Sequence, residues 1–138
     1  MKWKGVMPAI TTCFDEHLKV DHGFVADHCR WLIDEGCSGI VALGSLGEGA
    51  TLQFDEKVAI LQTCRKTLKN VPLVAAISAL STAEAVQLAK AAEEAGCDGL
   101  MVLPPYVYPG DWREMKTHIS TVLRATHLSV CDASRSRS

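Results

Sequence analysis

Three glycines fall within six residues of the stretch Gly44-Ser45-Leu46-Gly47-Glu48-Gly49-Ala50-Thr51, the part of this sequence best suited to meet a ligand. Glycines let the main chain approach a bound group closely. A concave run of N–H groups suits a carboxylate or a phosphate. As a phosphate loop the stretch is poor, because it has neither Gly-Lys-Ser/Thr nor GxGxxG spacing. Glycine content alone suits equally well a tight turn that feeds the next helix.

Other reactive side chains are dispersed. The six cysteines (Cys13, Cys29, Cys37, Cys64, Cys97 and Cys131) contain no CxxC pair and fall across predicted strands and helices. That spacing suits neither a zinc site nor a disulfide framework, and small buried hydrophobes are the expected role. The histidines His17, His22, His28, His118 and His127 are equally scattered. No metal and no cofactor are expected.

The elements that must position the glycine loop follow from the apolar pattern. Val6-Met7-Pro8-Ala9-Ile10-Thr11-Thr12 reads as a first strand. Asp21 caps a helix with Phe24, Val25, His28, Leu32 and Ile33 on one face, and Gly36 stops it. Gly39-Ile40-Val41-Ala42-Leu43 has no polar alternation, which predicts a strand buried on both faces, as in a parallel sheet. After the loop, Asp55 and Glu56 open a second helix with Val58, Leu61, Cys64, the stem of Arg65 and Leu68 inward. Leu73–Ile77 is the third strand. A capping box at Ser81-Thr82-Ala83-Glu84 opens a helix with Val86, Leu88, Ala89 and Ala92 inward. Leu100–Leu103 is the fourth strand, ended by Pro104-Pro105. Asp111 and Glu114 start a helix carrying Met115, Ile119, Val122 and Leu123, and Leu128–Cys131 begins a fifth strand. Glu35–Leu43 and Ala95–Leu103 echo each other as helix end, glycine turn and buried strand, so one unit recurs.

Composition limits the partners. The 138 residues carry a formal net charge of −2, which supplies no basic field for nucleic acid and no polybasic membrane anchor. No apolar run reaches the roughly 18 residues of a membrane span. The opening Met1–Gly5 is followed by Pro8, Thr11 and Thr12, so a cytoplasmic, unprocessed chain is expected.

Two α/β folds fit this rhythm: an open doubly wound sheet, and a closed (β/α)8 barrel, which needs about 250 residues. In both, ligands meet the carboxyl ends of the strands, where the Gly44–Thr51 loop lies. Gly44-Ser45-Leu46-Gly47-Glu48, followed by Ala50-Thr51-Leu52, resembles the Gly-Thr-Thr-Gly-Glu run of the dihydrodipicolinate synthase/N-acetylneuraminate lyase family. Gly5–Thr12 resembles that family's first strand, and Gly96–Tyr106 its fourth, in the same order and spacing. The resemblance covers the chain to about Val130. It implies the N-terminal half of a (β/α)8 TIM barrel, with about four βα units and the start of a fifth strand.

The resemblance also implies class I aldolase chemistry. A lysine on the sixth strand forms an imine with pyruvate or another 2-keto acid, and a tyrosine after the fifth strand shuttles protons. By position, Ser45 stands at the proton-relay threonine. Leu46 replaces the second threonine, leaving the backbone N–H groups of Leu46 and Gly47 for the substrate carboxylate. Glu48 is expected to brace the loop. Tyr106 and Tyr108 are candidate rim residues, with Val107 where the family's synthases carry a second tyrosine from a neighbouring subunit. These departures suit a member with a different 2-keto acid.

None of the eight lysines (Lys2, Lys4, Lys19, Lys57, Lys66, Lys69, Lys90 and Lys116) is expected at a strand's carboxyl end. After Cys131, where the family reads Tyr-Asn-x-Pro, the chain reads Asp-Ala-Ser-Arg-Ser-Arg-Ser. The sequence therefore divides into a partial barrel over residues 1–131 and a Ser/Arg tail over 132–138, expected to be disordered and to reflect a shifted or shortened reading frame. As an isolated piece it is expected to lack imine chemistry, to expose sheet edges and inner apolar layers, and to form a homo-oligomer or self-associate. The alternatives are a small open-sheet anion-binding module and a non-functional gene remnant.

Overall fold

The computed structural model describes residues 1–132. Four helices and four strands alternate: α1 (His22–Asp34), β1 (Ile40–Ala42), α2 (Phe54–Leu68), β2 (Leu73–Ile77), α3 (Thr82–Glu94), β3 (Gly99–Val102), α4 (Trp112–Arg124) and β4 (Ser129–Asp132). All strand pairs are parallel and the spatial order is β1-β2-β3-β4. A doubly wound sheet reverses its strand order at a switch point. This sheet never does.

The expected first strand is shorter than its sequence suggested. Segment 6–10 runs beside β1, with Ser38 N–H donating to Val6 O (2.8 Å), Val41 N–H to Pro8 O (2.9 Å) and Ile10 N–H to Val41 O (2.9 Å). Only Ala9 forms a bridge there, with Val41. Pro8 has no N–H to extend a ladder and is suited to a sheet edge. Asp132, the first residue after the expected barrel segment, pairs with Val102 as the last residue of β4. The expected disorder of the tail concerns 133–138, outside the described residues.

Helix starts follow their capping chemistry. Asp21 accepts the Phe24 N–H at 2.9 Å, and Asp111 accepts those of Arg113 and Glu114. At Ser81 only half of the expected capping box forms. The Ser81 hydroxyl accepts Glu84 N–H at 3.1 Å, while the Glu84 carboxylate turns to Lys57 instead. The two echoed turns are alike in detail. Gly36 and Gly96 sit at φ 96° and 89°, and the following Cys37 and Cys97 N–H groups bond back to Leu32 O and Ala92 O. Glycine is required because a side chain strains the left-handed region.

One face of the sheet packs under the helices through Ile40, Ala42, Leu73, Ala75, Ile77, Leu100 and Val102. Among the described residues the other carries no helix and gathers Val41, Val74 and Ala76, with Met7, Met101 and Leu103 packed against them. That one-sided layering belongs to a barrel wall. The inner layer expected to be exposed is instead buried at Val41, Val74 and Ala76 and half-buried at Met7, Met101 and Leu103. Three cysteines (Cys29, Cys64 and Cys97) are buried as expected, Cys13 and Cys37 are half-buried, and Cys131 is exposed.

All four helix stripes differ in part from expectation. The buried residues of α1 are Val25 and Cys29, while Phe24 faces outward. On α4 they are His118 and Val122, with Leu123 outside. On α2 and α3, Val58 and Val86 are only half-buried, and Ile60 and Ala85 take the inner places. A 3.6-residue period finds an apolar face but not which flank of it meets the sheet.

His118 carries a pH prediction. Its Nδ1 lies 2.9 Å from the Thr82 hydroxyl, its Nε2 is buried without a partner, and burial lowers its pKa from the ordinary 6.5. The folded state thus disfavours the imidazolium relative to the unfolded chain. Stability is full above pH ~6.5 and falls as pH drops below it, because the unfolded state then binds more protons. Thermal melts between pH 7.5 and 5 should show a falling midpoint in the wild type and a flatter profile in His118→Leu. Parallel profiles would refute the assignment.

Candidate active-site loop

The loop leaves β1 at its carboxyl end through a strained residue. Leu43 is buried with φ 67°, a left-handed conformation that a branched side chain adopts only when its surroundings enforce it. Gly44 O then accepts both Gly47 N–H (3.0 Å) and Gly49 N–H (3.2 Å). Ser45 O accepts Glu48 N–H at 3.1 Å, and Glu48 itself has φ 55°. The Thr12 hydroxyl, from the end of the 6–10 edge segment, donates to Gly47 O at 2.6 Å.

The glycines serve this fold as much as any ligand. A Cβ on Gly47 would lie 2.9 Å from Ile10 O, and one on Gly49 only 2.0 Å from Leu43 O. One on Gly44 would meet only Ala9 Cβ, at 3.8 Å. Gly47 and Gly49 are thus fixed by contact with the protein's own main chain.

The sequence-derived candidates occupy distinct places. Ser45 and Leu46 are exposed at the loop tip, and Gly47 is buried beneath them. Gly47 N–H is already engaged by Gly44 O, whereas no described acceptor meets Leu46 N–H. Glu48 braces the loop through its main chain: its carbonyl accepts the Thr51 N–H (2.9 Å) and hydroxyl (3.0 Å). Tyr106 and Tyr108 are exposed on the loop after β3, which also leaves the carboxyl end of the sheet. Among the described residues, no hydrogen bond joins either phenol to Ser45.

Sequence reasoning missed Thr12, whose role depends on a contact 35 residues away. It also missed the setting of Lys57. This lysine is 4% exposed in the first turn of α2, with Nζ 3.7 Å from the Glu84 carboxylate of α3. It lies in the helical layer, with its charge committed to a neighbour. No group of three potential metal ligands gathers among the described residues, and no described helix is long and apolar enough to cross a membrane.

Residues 2–131 match the model of the Dihydrodipicolinate synthetase family. The chain is 37% identical over 124 residues to 4-hydroxy-tetrahydrodipicolinate synthase of Natronomonas pharaonis, covering 90% of this chain and 42% of that protein. Its fold superposes on dihydrodipicolinate synthase of Bacillus anthracis with a TM-score of 0.88 at 29% identity, over 93% of this chain and 44% of that one. N-acetylneuraminate lyase of Mycoplasma synoviae gives a TM-score of 0.88 at 26% identity, over 94% and 46%. The chain spans under half the length of these relatives. Its singly wound sheet is the N-terminal half of their (β/α)8 barrel, and by family match, sequence identity and fold together, the chain belongs to the dihydrodipicolinate synthetase family.

Proposed function

We propose that this chain supplies the 2-keto-acid-binding part of a class I aldolase and that its 138 residues alone form no imine. The observation that carries the first half is the internally hydrogen-bonded loop at the carboxyl end of β1, whose Leu46 N–H meets no described acceptor. A substrate carboxylate would accept from that N–H and share the Gly47 N–H with Gly44 O. Ser45, exposed beside it, has a hydroxyl able to pass a proton to the keto oxygen, which leaves as water when the imine forms. Tyr106 and Tyr108 would form the rim.

The second half rests on where the amines are. An imine forms when an uncharged amine attacks the keto carbon and water leaves, so the amine must sit desolvated inside the barrel mouth. Lys57 is ion-paired between α2 and α3, Lys66, Lys90 and Lys116 lie on helices, and Lys69 caps α2. Lys2 and Lys4 precede the sheet, and Lys19 lies in the turn before α1. The reactive amine must therefore come from residues other than these 138. The substrate is proposed to be pyruvate or another 2-keto acid, by kinship with a solved protein of the same family in complex with pyruvate.

Pyruvate added with borohydride, followed by intact mass and peptide mapping, tests the imine. The expected result is no reduced adduct on any lysine. Amide NMR with pyruvate tests the loop, with shifts expected at Leu46 and its neighbours. A stoichiometric lysine adduct would sink the second claim, and unmoved loop amides at saturating pyruvate would sink the first.

A further inference from the structure

The face that α1 turns to α2 carries a pair of thiols for which keto-acid binding has no use. Cys29 and Cys64 are both fully buried, and their sulfurs lie 3.9 Å apart, within S–H···S hydrogen-bonding reach. Beside Cys64 on α2, the Thr63 hydroxyl lies 2.7 Å from His22 Nδ1 of α1, a second side-chain contact between the same helices. No other two sulfurs among the described residues meet in this way. Cys97 is buried at the turn before β3, Cys13 and Cys37 are half-buried, and Cys131 is exposed.

A buried cysteine is ordinarily inert, because nothing around it supports the thiolate. Two in contact behave differently, since they titrate as a pair. When one proton leaves, the charge settles on Cys29. The Cys64 S–H donates to it, which outweighs burial, and the neighbouring Arg30 adds to the effect, so this thiol titrates below its ordinary 9.0. The same hydrogen bond, with burial added, pushes the Cys64 thiol up. Burial pushes Cys97 up to about 12. Cys29 is therefore the nucleophile, Cys64 the partner that keeps its proton, and Cys97 stays a thiol.

We propose that Cys29 and Cys64 form a redox site, which a small hydroperoxide oxidises to a reversible disulfide between α1 and α2. The Cys29 thiolate attacks one peroxide oxygen, the O–O bond breaks, and the other oxygen takes up a proton and leaves as an alcohol, or as water from hydrogen peroxide. The Cys64 sulfur then attacks the Cys29 sulfenic acid. The S–O bond breaks, and hydroxide leaves as water with the Cys64 proton. In balance, two thiols lose two hydrogens, and one hydroperoxide is reduced to an alcohol and a water.

A disulfide bond is about 2.05 Å long, so the sulfurs must approach by about 1.9 Å. Two unbranched side chains turning toward each other, with a small give between the helices, supply that. The bond joins residues 35 apart and encloses β1 and the 44–51 loop, so it restrains the unfolded chain and adds stability. It makes no use of the keto-acid loop, and either reading can fail without the other.

Differential alkylation of the folded 138-residue protein tests the site. N-ethylmaleimide first blocks the accessible thiols, hydrogen peroxide follows, and the protein is then unfolded and its peptides mapped with and without dithiothreitol. The expected result is a Cys29–Cys64 linked peptide about 2 Da lighter than the sum of its parts, which dithiothreitol separates, with Cys97 recovered as a thiol. The oxidised protein should melt roughly 5 °C or more above the reduced one. In Cys64→Ser, dimedone should trap a sulfenic acid on Cys29, because the resolving sulfur is gone while a hydroxyl donor remains; in Cys29→Ser it should trap none on Cys64. Should either variant misfold, the wild-type map decides alone. Free thiols at both positions after peroxide, a Cys64–Cys97 link, or a Cys29–Cys64 link that forms only in urea would each overturn the proposal. So would dimedone on Cys64 in place of Cys29, or a bridged protein with the melting midpoint of the reduced one.

Discussion

Replacing Gly49 by alanine is expected to unfold the 44–51 loop from the end of β1 and to cost roughly 3 kcal/mol, at or beyond the upper range for forced overpacking. The reason is a single contact. The added Cβ would lie 2.0 Å from Leu43 O and 2.8 Å from the Leu43 carbonyl carbon. Those atoms belong to main chain at a strand end, held by a buried residue in a left-handed conformation. A flexible side chain could turn aside; this carbonyl cannot without disturbing the sheet. Relief would have to come from the loop, breaking the Gly49 and Gly47 N–H bonds to Gly44 O. Chemical denaturation should show the lost stability, and hydrogen exchange at Gly47, Glu48, Gly49 and Thr51 should accelerate. Gly44→Ala is the control, since its Cβ would make only an ordinary contact with Ala9 at 3.8 Å. Equal stability of the two variants would mean that the loop does not adopt this conformation.

The same loop shows what a sequence can and cannot declare. That Gly44–Thr51 would occupy the carboxyl end of a strand followed from local pattern, as did the helix starts at Asp21, Ser81 and Asp111, because capping chemistry spans only three or four residues. Gly36 and Gly96 were legible for the same reason. Two other glycines were misread in part: Gly47 and Gly49 suggested room for a ligand, whereas their tightest neighbours are Ile10 O and Leu43 O. Contacts of that kind depend on distant chain segments. Thr12 acts on Gly47, Lys57 draws Glu84 out of a local capping box, and Phe24 faces outward from α1. The choice between barrel and open sheet was also global. It needed the order of strands, which no single helix or strand encodes.

Arg65 is the strongest example of a long-range contact hidden behind a local one, and its loss should be the most damaging change at the amino-end of the sheet. Its stem packs inward as the apolar period of α2 suggests, but its head does the joining. One guanidinium nitrogen donates to Asp98 Oδ2 at 2.8 Å and to Gly96 O at 3.0 Å. The other donates to Val71 O at 2.8 Å and to Lys69 O. Asp98 Oδ2 also accepts Leu73 N–H at 2.9 Å, so the pair ties the end of α2 to the starts of β2 and β3. Charged hydrogen bonds contribute about 1.5–3 kcal/mol each and are not additive. The side chains are partly exposed, 20% and 40%, so solvent screening reduces the ionic part. Arg65→Met is therefore expected to cost about 3 kcal/mol, a drop of roughly 10 °C in melting temperature for a domain of this size. Arg65→Lys should recover less than half of it, since one ammonium cannot span four acceptors in a planar fork. Asp98→Asn should be less damaging, because the amide oxygen can still accept from Leu73 and Arg65. A double-mutant cycle between Arg65→Met and Asp98→Asn isolates the ion pair from the carbonyl contacts. If most of the loss lies in the coupling energy, the pair holds these strands in place; if almost none does, the carbonyls of Lys69, Val71 and Gly96 carry the contact. A melting temperature for Arg65→Met within 2 or 3 °C of wild type, less than about 1 kcal/mol, would dismiss both.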